Sequence, residues 1–84
     1  MKCTRYFEEQ VLRKRPYVDP SWCTSIIANP IRRDIQDDGR IRHWGEIVDA
    51  RDQNKTRILR AVTLEDGQTV HNAFFDRDFK DIAS

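Results

Sequence analysis

The stretch ILRAVTLEDGQTVHNAFF, residues 58–75, decides the fold of this chain. Two runs rich in β-branched and aromatic residues flank the dipeptide Asp66-Gly67. An Asp-Gly pair between apolar runs is a strong local signal for a β-hairpin, because glycine adopts a positive φ at no steric cost. The stretch therefore predicts two antiparallel strands joined by a two-residue loop.

That loop determines which residues face each other across the hairpin. A two-residue loop places Val62 opposite His71 and Arg60 opposite Ala73. Arg60 and His71 then share one face of the sheet as diagonal neighbours, a separation that long side chains span. The register therefore makes His71 and Arg60 candidate partners.

The same dipeptide recurs at residues 38–39, within RDIQDDGRIRHWG, and predicts another hairpin. Here a two-residue loop places Asp34 opposite His43 and Arg33 opposite Trp44. The first pair suits a polar contact across the strands, with a catalytic histidine as the alternative. The second pair suits a cation–π contact, with Trp44 as a plain core residue as the alternative.

Two helices are predicted before the sheet, at about residues 4–15 and 20–28. The first ends at Pro16, which lacks an amide donor and restricts the residue before it. The second begins with Asp19 as its N-cap and Pro20 as its first helical residue. Apolar residues recur at helical spacing, namely Cys3, Phe7, Val11 and Leu12 in the first helix and Trp22, Cys23, Ile26 and Ile27 in the second.

These elements predict an α+β fold, with two N-terminal helices packed on a four-stranded antiparallel meander. At 84 residues the chain forms one domain, 1–84, near the lower limit at which a single core supports folding unaided. An edge strand of such a sheet is expected to be able to pair with a second chain and form a homodimer. The strands are expected at about residues 31–36, 40–48, 56–64 and 69–75, with the first and the last at the edges.

Composition argues against a membrane protein. The chain is 38% hydrophobic and 35% charged, and no apolar run approaches the roughly 20 residues that span a bilayer. Its N-terminus lacks the pattern of a signal peptide, so we expect a cytoplasmic protein in which Cys3 and Cys23 are reduced thiols. Neither histidine is close to a cysteine in the sequence and no phosphate-binding glycine motif is present, so no metal and no cofactor are expected.

The distribution of charge is more informative than its sum. The formal net charge is +1, which does not indicate a nucleic-acid binder. Basic residues nevertheless cluster in the first hairpin and again in the segment 51–60. A locally basic face and an ordinary solvated surface are both consistent with this pattern.

His71 is the main candidate for chemistry. Its imidazole titrates near neutral pH and serves as a general acid or base. Arg60 beside it would lower the pKa of His71 by charge repulsion and would stabilise negative charge on a phosphate. A base, an acid and a cation suit RNA cleavage by attack of a 2′-hydroxyl, without a metal. The alternative is a half-buried strand histidine that is hydrogen-bonded to a neighbour.

The layout of the chain also resembles that of a known family. The segments that carry the resemblance are RKRPYVDPSWCTSIIANP, RDIQDDGRIRHWG and ILRAVTLEDGQTVHNAFFD, which together span most of the chain. A helix that ends in a basic run, an acid-capped helix that ends in Asn-Pro and a following meander resemble the small bacterial proteins related to BrnT within the RelE-like toxin superfamily.

The resemblance implies a RelE-like fold and an endoribonuclease toxin that is neutralised by a cognate antitoxin. By its position on the last strand, His71 would be the acid or base, and Arg60 and Arg77 would be phosphate ligands. The alternative is a non-catalytic protein–protein interaction module of the same fold. Further basic residues expected to contact RNA are Arg42, Arg57 and Lys55.

Overall fold

The computed structural model describes residues 1–77 and 79. It confirms the predicted α+β class, with two short helical segments packed on a four-stranded antiparallel sheet. The strands neighbour one another in chain order, which makes the sheet a meander. The predicted domain extends to residue 84, and its residues 78 and 80–84 lie outside the described residues.

The chain starts with a helical segment in which a π-helical stretch, Phe7–Val11, runs directly into the short helix α1, Leu12–Lys14. Thr4 caps this segment, because its Oγ1 accepts a hydrogen bond of 3.1 Å from the amide of Phe7. An amide in the first turn has no partner within the helix, so the threonine satisfies it. Phe7 and Val11 are buried, as the apolar stripe predicts.

The second helix, α2, is Pro20–Ala28. The predicted N-cap is confirmed, since Asp19 Oδ1 accepts a hydrogen bond of 2.9 Å from the amide of Ser21. Proline suits the first helical position because its missing amide would have no partner there. Cys23 and Ile26 point into the core, so the buried face of α2 includes the predicted stripe.

Four strands follow, with bounds that differ from the predicted ones by at most one residue. Each strand pairs antiparallel with the next. The connection from the second strand to the third contains a short 3-10 turn and two left-handed residues, Gln53 with φ 54° and Asn54 with φ 57°. The strands are β1 Arg32–Ile35, β2 Ile41–Asp49, β3 Lys55–Thr63 and β4 Val70–Phe75.

The N-terminal residues pair with the outer edge of β4, which the sequence did not predict. Cys3 forms a parallel bridge with Val70. The amide of Val70 donates to the carbonyl of Lys2 and the amide of Thr4 donates to the carbonyl of Val70, both at 2.9 Å. The start of β4 therefore has a neighbour on each side and is not the free edge that the sequence predicted.

The register of the first hairpin differs from the prediction by one residue. Asp34 lies opposite Arg42, and His43 lies opposite Arg33. The reason is the loop: the amide of Gln36 donates to the carbonyl of Arg40, which leaves three residues, 37–39, in the loop. The positive φ of 89° falls on the third of these residues, a glycine, as expected for a three-residue hairpin loop.

The register of the second hairpin is correct at one pair and wrong beyond it. Thr63 lies opposite Val70 as predicted, but a β-bulge follows and Val62 lies opposite Asn72. His71 is the extra residue of this bulge, so the predicted pairing of Val62 with His71 is wrong. A bulge changes the direction of the side chains around it, and here it takes His71 out of the regular alternation of β4.

The core lies between the helices and one face of the sheet. Gly45 of β2 sits beneath Ile26 of α2, and a Cβ atom added at Gly45 would meet Ile26 Cγ1 at 2.6 Å. The helix therefore approaches the strand closely because glycine has no side chain. The buried residues that form this core are Phe7, Val11, Val18, Cys23, Ile26, Ile47, Leu59, Ala61, Val70 and Ala73.

Candidate functional site

The second face of the sheet, which we call the open face, lies opposite the helices. Side chains alternate between the two faces along a strand. Gly45 faces Ile26 of α2, so its neighbour Trp44 belongs to the open face. Direct partners across strands share a face, which places Arg32 and Arg60 on the open face with Trp44.

A row of alternating cations and aromatic rings crosses the open face, and we call it the cation–aromatic row. It runs from Arg32 on β1 through Trp44 and Arg60 to Phe74 on β4, each residue being the direct partner of the next. Arg15, which follows α1, extends it, with its guanidinium 5.8 Å from the ring of Phe74. Within the row the guanidinium of Arg60 lies 4.2 Å from the ring of Phe74.

The rings hold these guanidinium groups in place. Arg32 and Arg60 lie 5.6 and 5.9 Å from the ring of Trp44, within the range of cation–π attraction. Trp44 is itself only 6% exposed and donates from Nε1 to Asp76 at 3.0 Å. Trp44 is therefore a buried anchor with cation–π partners, and the predicted partner Arg33 is wrong because Arg33 lies opposite His43.

Arg42, a predicted RNA contact, also lies on the open face. Its guanidinium is 5.5 Å from the ring of Trp44, and its Nη2 forms an ion pair with Asp34. The predicted contact between Asp34 and His43 is therefore wrong. His43 is 2% exposed and its Nε2 lies 3.0 Å from Thr63 Oγ1, so its imidazole belongs to the interior.

His71 is half-buried between the bulge and the N-terminal segment. Its Nδ1 lies 3.1 Å from Thr4 Oγ1, and its ring stacks on Tyr6 with a centroid distance of 4.9 Å. Burial lowers the pKa of His71, the charge of Arg40 lowers it further, and Asp38 opposes them. The lowered pKa was predicted, but with Arg60 as its cause. His71 is therefore poised to be neutral at neutral pH.

Arg60 belongs to a different part of the sheet from His71. It lies opposite Phe74, not opposite Ala73 as predicted, and its Nε is 3.8 Å from Asp76 Oδ2. Because of the bulge, three residues of β4 instead of two separate His71 in sequence from the residue opposite Arg60. The predicted diagonal pair of Arg60 and His71 is wrong.

Three other predicted residues come together at the far end of the sheet. Lys55, Arg57 and Arg77 line one cleft of about 470 Å³ beside Phe75. Residues rise about 3.3 Å each along a strand, so His71 lies roughly 13 Å from Phe75. The predicted catalytic groups His71 and Arg77 are thus not brought together around one phosphate.

Sequence reasoning missed Arg32, Arg15 and Phe74. Arg32 and Phe74 join the row only in the correct register, which the sequence did not supply. A usable signal was the alternation of side chains between the two faces along each strand. It assigns one member of the row to the open face of each successive strand, namely Arg32, Trp44, Arg60 and Phe74. Arg15 follows a helix, and its place over Phe74 depends on how the helix packs.

No family model matches the chain, and no curated protein or solved structure matches it. No helix within residues 1–77 and 79 is long and apolar enough to cross a membrane. In the same part of the chain, no three His, Cys, Asp or Glu side chains are grouped as metal ligands would be. Both cysteines are free thiols.

Proposed function

We propose that the protein acts on RNA in the cytoplasm, as a metal-independent endoribonuclease that is the toxin of a toxin–antitoxin pair. The observation that carries this proposal is the cation–aromatic row on the open face. Guanidinium groups bind phosphate oxygens, and Arg planes and exposed aromatic rings stack on unpaired bases. The guanidinium groups that the buried Trp44 holds in place and the partly exposed ring of Phe74 therefore suit a single RNA strand.

The row also reduces one cost of binding through arginine, the ordering of its side chain. A long side chain loses conformational freedom when it contacts a ligand. Arg60 already lies between the rings of Trp44 and Phe74, so much of this loss has occurred before RNA arrives. Arg32 is exposed at the edge of the sheet and forms no ion pair with any residue among 1–77 and 79, so its charge is available to a phosphate.

In the proposed cleavage, His71 takes the proton of a ribose 2′-hydroxyl. The 2′-oxygen attacks the adjacent phosphorus, a 2′,3′-cyclic phosphate forms, and the bond from phosphorus to the 5′-oxygen breaks. That oxygen then takes up the proton from the imidazolium. A neutral imidazole is required for the first step, and burial and Arg40 both favour it by lowering the pKa of His71. In this proposal Arg40, whose charge acts on His71, offsets part of the phosphate charge.

The binding part of the proposal is tested by fluorescence anisotropy with a labelled single-stranded RNA. Arg32→Gln is expected to weaken binding about tenfold, the scale of one lost charge-assisted contact. Arg33→Gln is the matched control, because Arg33 is the next residue on β1 and faces the opposite side. Equal affinities of the two variants would contradict binding on the open face.

The catalytic part is tested by expression in a bacterial host that lacks an antitoxin. Wild type is expected to arrest growth and degrade cellular RNA, and His71→Ala is expected to do neither. Circular dichroism of the purified variant checks that it still folds. Equal growth of both strains with intact RNA would refute the nuclease.

A non-catalytic protein–protein interaction module is the second candidate, and one observation favours it. The charges of Arg42, Arg57 and Arg60 are already opposed by carboxylates, those of Asp34, of Asp49 and Asp52, and of Asp76. In this candidate the partner is an antitoxin or a second copy, paired at the edge strand β1. Retained partner binding by His71→Ala, with no RNA binding by wild type, would select it.

A further inference from the structure

A second cleft at the same end of the sheet shares Arg15 and Phe74 with the cation–aromatic row, and it adds residues that the RNA proposal does not use, namely Tyr17, Arg57, Phe75 and Arg77. We call it the three-arginine cleft, because Arg15, Arg57 and Arg77 line its rim. Its volume is about 500 Å³, and Tyr17 and Phe75 contribute aromatic surface to it. Volumes of about 300–1,000 Å³ are typical of sites for small molecules.

Two of the three guanidinium groups retain their charge for a ligand. Arg57 is engaged, with ion pairs to Asp49 and Asp52. Arg15 and Arg77 form no ion pair with any residue among 1–77 and 79. Asp49 is the carboxylate that lines the cleft, and the two arginines outweigh it, since Arg57 already opposes its charge.

Aromatic rings supply a flat surface beside these cations. Tyr17 stacks on Phe75 with a centroid distance of 5.2 Å and an angle of 23° between the rings. Arg57 covers Phe75 at 5.1 Å, so Phe75 has neighbours on more than one side. Tyr17 is 38% exposed, which makes its ring the accessible end of the stack.

We propose that the three-arginine cleft binds a nucleoside phosphate, with the phosphate on Arg15 and Arg77 and the base stacked on Tyr17. Two unpaired guanidinium groups suit the oxygens of a phosphate monoester. A base continues the stack of Tyr17 and Phe75 at the offset-stacked geometry that aromatic pairs prefer. The nucleotide is either free in solution or the phosphorylated end of an RNA strand, because both present the same chemistry.

The experiment is an NMR titration of the full chain with AMP, with adenosine, and with short RNA strands that carry either a 5′-phosphate or a 5′-hydroxyl. AMP is expected to shift the amide signals of Tyr17 and of residues 74–77. Arg15→Gln and Arg77→Gln are each expected to weaken AMP binding about tenfold. Arg13→Gln is the matched control, because Arg13 is an exposed arginine of α1 that lines neither this cleft nor its neighbour.

Preference of the cleft for AMP over phosphorylated RNA identifies a free nucleotide as the ligand, and the reverse order identifies an RNA end. Adenosine binding as tightly as AMP overturns the inference, since the arginines would then contribute nothing. Equal AMP affinities of Arg15→Gln, Arg77→Gln and Arg13→Gln overturn it as well.

The inference and the proposed function fail separately. A protein that binds hydroxyl-ended RNA but neither AMP nor phosphorylated ends retains the proposed function and loses the cleft ligand. A protein that binds AMP at the cleft and no RNA on the open face retains the inference and loses the proposed function. Arg32→Gln separates the two surfaces, because Arg32 lies on β1 at the opposite edge of the sheet and should leave AMP binding unchanged.

Discussion

Thr4 Oγ1 lies 3.1 Å from Nδ1 of His71 and also accepts a hydrogen bond from the amide of Phe7. One hydroxyl therefore joins the start of the helical segment to the bulge of β4. The imidazole that we propose as the base is held by a residue whose first role is to cap a helix. Capping and orientation of His71 should change together when Thr4 is replaced.

Thr4→Ala is expected to lower the free energy of unfolding by about 1 kcal/mol, the usual cost of a lost N-cap. The amide of Phe7 would lose its partner, and Nδ1 of His71 would lose its hydroxyl neighbour. Urea denaturation measures the first effect. Thr24→Ala is the control, since Thr24 is exposed on α2 and should cost less than 0.5 kcal/mol, roughly the usual limit for surface changes. Equal losses for both variants would contradict the capping role.

Stability is expected to fall in mild acid because His43 is buried. Burial, and after it the charge of Arg33, hold the pKa of His43 below its ordinary value of 6.5. Below pH 6.5 the unfolded chain protonates this histidine more readily than the folded chain does. The free energy of unfolding therefore decreases as the pH is lowered. The full stability is present above that pH and is lost as the pH falls towards the folded-state pKa.

Urea denaturation at a series of pH values from about 7.5 to 5 measures this dependence. His43→Gln removes the titrating group and should flatten the profile. His71, whose pKa is also lowered, contributes a slope of the same sign that the variant retains. A profile of His43→Gln as steep as that of wild type would contradict the prediction.

Gly45→Ala is expected to destabilise the fold by about 1–3 kcal/mol, the usual cost of overpacking. The new methyl group would meet Ile26 Cγ1 at 2.6 Å, so α2 would have to move away from β2. Ile26→Ala removes that atom and leaves a cavity. In a double-mutant cycle, the double variant should lose less stability than the two single variants added together. Additive losses would show that the two positions do not touch.

Gln53→Gly is expected to stabilise the protein by about 0.5–1 kcal/mol, since the left-handed conformation costs most side chains about 1–2 kcal/mol and glycine's greater freedom in the unfolded chain offsets part of the gain. Gln53 has φ 54° after the short 3-10 turn. Asn54→Gly, at φ 57°, is the comparison, and should gain less because asparagine tolerates this conformation. Thermal or urea unfolding of both variants decides the order, and a larger gain at residue 54 would reverse it.

The order of elements could be predicted from the sequence because local chemistry determines it. Asp19 caps α2 through bonds to its own neighbours, and each Asp-Gly dipeptide marks a hairpin. The registers could not be predicted in full, because they depend on the loop length and on one bulge. A three-residue loop moved Asp34 from His43 to Arg42, and the bulge at His71 moved the rest of β4 by one residue.

The error in the predicted site comes from the error in the predicted register. His71 and Arg60 were chosen as partners across a hairpin without a bulge, and the observed shift separates them. The environment of His71 was less sensitive to the register, since the side chain is half-buried and its pKa is lowered, as predicted. The cation–aromatic row required correct pairing at three strand boundaries, so no single segment of sequence could indicate it.

The bridge from Cys3 to Val70 also has a consequence for the order of folding. Thr4 and His71 are 67 residues apart in the sequence, so their contact closes a long loop. Closing so long a loop is entropically slow. The imidazole should therefore reach its final surroundings late, after the helices and the first hairpin have formed.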